Sequence, residues 1–263
     1  MENGIIMLIF LACLAIVFIV LFAMQIRTYD KHLKEITIST LNIAAAGSAH
    51  PETPEKIKLK DLPLQKFHNR AGEPIDFKNI LMFCVRGWSM LLCGIRNNDI
   101  LFAKPVSETA IKHLSFDNPK VLVLKREGKS LKEAIEKDDY AKYKIRRAWA
   151  MLPFDEAQIM AKVNEIMQHA TFKKLQREYP ANFFSDEIMK ASLADRIVNY
   201  EQEYPNCKKA SSKDNVVIVS TTLRNIEGEK DRKVFFSIHP ARIIVGQVIQ
   251  SFHKKETPRN INI

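Results

Sequence analysis

One side chain in this chain is framed for acyl-transfer chemistry: Ser89, in Arg86-Gly87-Trp88-Ser89-Met90. A serine hydroxyl attacks a carbonyl only when a neighbour takes its proton. An apolar run at 80–85 leads into Gly87, and a second leaves from Asp99 in Asn97-Asn98-Asp99-Ile100-Leu101-Phe102. The serine is therefore expected at a turn between two strands, where Gly87 lets backbone and substrate approach closely.

The serine segment resembles the serine box of the Ser-Lys peptidases, the superfamily of LexA-type repressors and type I signal peptidases. That pattern reads Gly-x-Ser-Met-x-Pro, then Gly-Asp before an apolar strand. Gly87, Ser89, Met90 and Asp99 match it, while Leu92 stands where Pro is usual and Asn98 where Gly is usual. The resemblance makes Ser89 the nucleophile position and implies a β-rich fold with a lysine base in a Lys-Arg pair. That pair aligns with Arg146-Arg147, which puts Arg146 where the lysine would stand. A guanidinium keeps its proton, so Lys144, two residues away on the same strand face, is the candidate substitute and Lys125 the weaker one. Ile244-Val245-Gly246-Gln247-Val248 resembles a Gly-x-Val strand of the same superfamily.

The elements that must position these residues can be read from periodicity. Short apolar segments at 120–125, 143–149, 215–222, 233–238 and 243–252 predict strands, and 130–137 predicts a helix with Ser130 as its N-cap. Between them, 153–205 turns to helical period, with Asp155 and Ser185 placed to start two helices. Trp88 and Trp149 are expected in the core.

Residues 4–24 carry no charge. At about 1.5 Å per residue such a helix spans the roughly 30 Å of a bilayer core. The reading is a single transmembrane anchor at 1–25, with Arg27, Lys31 and Lys34 placing the remainder of the chain on the cytoplasmic side. A linker at 26–63 contains Ala44-Ala45-Ala46-Gly47, and a peptidase-like domain occupies 64–263 with its insertion at about 153–205. The expected class is thus α+β: an N-terminal transmembrane helix and a β-rich Ser-Lys peptidase-like core with a helical insertion.

The function this implies is a membrane-anchored, single-pass serine peptidase-like protein of the cell membrane. Ser89 attacks a small-residue peptide bond, with the chain's own Ala46–Gly47 bond as the candidate for self-cleavage, and Lys144 accepts the proton. The alternative is an inactive form, with Arg146 in place of the base, acting as an interaction or scaffold module. Partners under the two readings are a peptide or protein substrate, or a protein bound through the helical insertion, with the membrane met through residues 4–24. Cys13, Cys84, Cys93 and Cys207 show no metal or disulfide spacing, and His113 and His169 stand alone, so no metal and no cofactor is expected. A formal charge of +10 from scattered lysines and arginines allows an anionic ligand whose affinity falls with salt. No nucleic-acid-binding motif accompanies it, and no specific nucleic acid is expected.

Overall fold

The computed structural model describes residues 18–21, 24, 37–39, 41–44, 56–58, 80–136, 142–205, 207, 215–225 and 232–252, with backbone alone at 37–39, 41–44, 56–58, 134, 135 and 252. The chain divides into two units, Met1–Ser39 with Lys56–Phe67, and Thr40–Glu55 with His68–Ile263. In the first, β1 (Thr37–Ser39) pairs antiparallel with β3 (Lys56–Lys58).

The second unit is built on β2 (Leu41–Ala44), β4 (Leu81–Arg86), β5 (Ile100–Pro105), β6 (Lys120–Lys125), β7 (Tyr143–Pro153), β8 (Val216–Arg224), β9 (Lys233–Pro240) and β10 (Ile244–Phe252). Their order is β2-β4-β5-β10-β6-β7-β8-β9. All neighbouring pairs from β4 to β9 are antiparallel. β2 is parallel to β4 on one side and to β7 on the other. Six strands therefore close on themselves, and β8 and β9 continue the sheet beyond β7. Gly246 of β10 fits because a Cβ there would stand 3.2 Å from the Lys104 carbonyl oxygen and 3.3 Å from the Ala103 Cβ.

Alternation along the strands separates two cores. Val121, Val123 and Ile145 join Phe83, Val85, Met90 and Leu101 inside the closed strands, while Leu122 and Leu124 join the core beneath the helices. Those helices are α1 (Glu108–Ile111), α2 (Gly128–Glu136), α3 (Glu156–Gln168), α4 (Ala170–Glu178), α5 (Asp186–Val198) and α6 (Tyr200–Glu203). Asp155 starts α3 by accepting the Gln158 amide at 2.8 Å. Ile159, Val163, Ile166 and Met167 then bury one stripe of the helix. α2 begins at Gly128, two residues earlier than its sequence suggests. Its first residue sits at φ +60, and a Cβ there would lie 2.4 Å from the Glu203 carbonyl oxygen, so glycine alone lets α2 approach the end of α6.

The expected α+β class, with its transmembrane helix and Ser-Lys peptidase-like core, is corrected by this architecture: an antiparallel sheet of seven strands, joined by the parallel β2 and covered by helices. Among the described residues no helix is long and apolar enough to cross a membrane. Near the N-terminus they are helical at 18–21 and 24. The rest of the proposed span at 4–24 lies outside the described residues.

Candidate functional site

Ser89 follows the turn that ends β4. Gly87 takes φ +100 and donates its amide to Asn97 Oδ1 at 2.8 Å. Asn98 takes φ +68, a left-handed conformation that asparagine tolerates better than other side-chain-bearing residues, and its amide meets the Val85 carbonyl at 2.8 Å. Asp99 is buried and accepts the Arg96 amide at 2.7 Å, so its carboxylate fastens the turn. The Ser89 carbonyl accepts the Leu223 amide at 3.0 Å, which ties the turn to β8.

The Ser89 hydroxyl is buried and has no hydrogen-bond partner among the described residues. It lines a cavity of about 20 Å³ with Cys93, Arg147, Trp149, Thr221 and Thr222. That is room for about one water. Among the described residues no lysine, histidine or carboxylate belongs to the lining. The Arg147 guanidinium stacks on the Trp149 ring at 4.7 Å, and Trp149 Nε1 donates to Thr221 Oγ1 at 2.8 Å. Burial pushes the Cys93 thiol up, opposed by the charge of Arg147. Trp88, expected in the core, is 41% exposed, whereas Trp149 is buried.

Lys144 lies elsewhere. It is buried, and its Nζ donates to Tyr204 Oη at 3.1 Å, which in turn stands 2.7 Å from His239 Nδ1. Burial, reinforced by Arg146, brings its pKa down to about 7. Burial together with the charge of Lys144 holds His239 well below the usual imidazole range, so that ring is neutral and Tyr204 can donate to its Nδ1. Comparison with known proteins gives no match, whether to a family model, a curated protein or a solved structure.

Arg146 shares the face of Lys144. Its Nη1 donates to the Ile145 carbonyl at 2.7 Å while its Nε, buried, has no partner. Burial and the neighbouring Arg224 bring its pKa down to about 9, which still leaves it charged at neutral pH. Arg146 joins no ion pair among the described residues. Lys144 and Arg146 wall a cavity of about 560 Å³ that also takes in Arg196 of α5 and Arg224 of β8. Lys125 is exposed.

The structure therefore brings Lys144 and Arg146 together and leaves Ser89 in a separate cavity. The residue beside Ser89 is Arg147, one position further along β7 than the position expected from the Lys-Arg pair. Tyr204 and His239 were missed in the sequence because their partners lie 35 to 60 residues away, as the Tyr204–His239 and Lys144–Tyr204 bonds show. Arg196 and Arg224 were missed because only folding brings α5 and β8 to one cavity. His239 lies inside β9, one residue past the strand expected at 233–238. Among the described residues no group of His, Cys, Asp and Glu could hold a metal ion.

Proposed function

We propose that the β-rich unit is a peptide-strand-binding module that holds an extended segment between β4 and β7 without hydrolysing it. The observation that carries this reading is β2: Ala44 stands opposite Arg86 in parallel pairing with β4, and opposite Lys144 in parallel pairing with β7. Main-chain bonding on both sides is how a sheet recognises a peptide, since the backbone supplies affinity whatever the side chains. The occupant is the chain's own Leu41-Asn42-Ile43-Ala44. The Ala46–Gly47 bond itself lies outside the described residues.

Non-hydrolytic binding is favoured because Ser89 has a guanidinium beside it and no acceptor for its proton. Lys144, the base of the self-cleaving scheme, is engaged by Tyr204. Hydrogen exchange of the full chain tests the binding reading: amides of 41–44 exchange as slowly as those of β4, and Ile43→Pro, which removes a donor, releases them. Exchange of 41–44 at the rate of an unstructured peptide sinks it. Intact mass tests the chemistry. A species clipped after Ala46 that forms in the wild type and not in Ser89→Ala would restore the peptidase reading.

A further inference from the structure

The cavity walled by Lys144 and Arg146 carries a surplus of positive charge. Lys144, Arg146, Arg196 and Arg224 all line it, and none of the four joins an ion pair among the described residues. Asp195 and Glu203 are the carboxylates on the wall besides Glu133, which is paired with Lys129 at 3.9 Å. With Lys144 protonated, the four cations exceed the two carboxylates outside that pair by two. They also repel one another: the Arg146 charge depresses Lys144, Arg224 depresses Arg146, and Arg196 depresses Arg224, each adding to burial. The Nε atoms of Arg146 and Arg196 are buried without partners. Arg146 is only 7% exposed, and a chain that folds around such a charge loses stability unless something neutralises it.

The geometry points to a binding site for a small organic phosphate, its dianionic group meeting Arg146, Arg224 and Lys144. Guanidiniums fit phosphate oxygens in pairs, and two surplus positive charges match one phosphomonoester. A volume of about 560 Å³ is far more than one phosphate needs, and it falls within the roughly 300–1,000 Å³ of small-molecule sites. Ser192, Asn199 and Gln202 on the same wall offer neutral hydrogen bonds to the organic part. This site does not depend on the strand groove and stands or falls separately from it.

Titrating the full chain with ribose 5-phosphate, inorganic phosphate and ribose, at fixed ionic strength, tests the assignment. Ribose 5-phosphate binds at least tenfold more tightly than inorganic phosphate, and ribose gives no signal. Arg146→Met and Arg224→Gln each weaken ribose 5-phosphate tenfold or more. Arg146→Met also melts at higher temperature than the wild type without ligand, because it removes a buried charge that joins no ion pair among the described residues, a gain that a merely structural arginine would not show. Wild-type affinity in either variant overturns the proposal. So does a lower melting temperature for Arg146→Met, inorganic phosphate binding as tightly as the sugar phosphate, or no binding by ribose 5-phosphate at all.

Discussion

Lys144 and Arg147, three residues apart on β7, serve opposite faces of the sheet. Lys144 opposes Leu124, whose side chain belongs to the core under the helices, and Arg147 opposes Val121, which belongs to the core inside the closed strands. Ser89 is followed by Met90 in that inner core, so the basic residue it meets is Arg147. Strand parity thus assigns the amine to one cavity and the hydroxyl to another.

Ser89→Ala removes a buried hydroxyl that bonds to nothing. Its expected effect is a gain of about 1 kcal/mol, the desolvation penalty recovered, read as a higher midpoint in urea at unchanged slope. A loss above about 1 kcal/mol would mean that the hydroxyl has a partner.

Lys144 makes stability depend on pH. Its pKa is about 7 in the folded chain against an ordinary 10.5, so between those values the unfolded chain holds the extra proton. Stability therefore rises as pH climbs from about 7 toward 10, and the penalty stays constant below 7. The groups that set this are Arg146, Arg126, Arg224 and Glu203, with Tyr204 and His239 at hydrogen-bond range through the same chain. Between about pH 7 and 9 the wild type should gain on the order of 2 kcal/mol relative to Lys144→Met, measured by urea denaturation at each pH. Parallel curves for the two proteins would show that the amine is not desolvated.

Binding of ribose 5-phosphate should follow the same amine with the opposite slope. An anion favours the protonated lysine, so affinity weakens as pH rises above about 7. Below about 6 the phosphate itself takes up a proton, and affinity falls again. Calorimetry in buffers of different ionisation enthalpy should detect proton uptake slightly above the lysine's pKa of about 7 in the wild type and none in Lys144→Met.

Tyr204→Phe takes the shared partner from Lys144 Nζ and His239 Nδ1 at once. Two buried polar atoms are left unmet, and the expected cost is about 2–4 kcal/mol by thermal or urea unfolding. Adding His239→Leu to Tyr204→Phe should recover part of that loss, because one orphaned nitrogen goes with it. Equal stabilities for the single and double variants would place His239 outside the network.

Gly128→Ala forces a side chain into φ +60 and against the Glu203 carbonyl. The expected loss is about 1–3 kcal/mol from backbone strain, with more from the clash, seen as a lower melting temperature. Gly94, at φ +76 with open space around it, should lose only the strain part when changed to alanine.

What the sequence determined by itself was local. The apolar segments at 120–125 and 233–238 became β6 and β9, Asp155 capped α3, and Gly87 and Asn98 took the positive φ angles that a tight turn between strands needs. These choices depend on a residue and its near neighbours, so spacing and residue type reveal them. Which basic side chain meets Ser89 was decided by tertiary structure, because one residue of register on β7 exchanges Arg146 for Arg147. The Lys144–Tyr204–His239 chain was decided there too, since its three members come from β7, the segment after α6, and β9, and only the packing of helices on the sheet brings them within hydrogen-bond range.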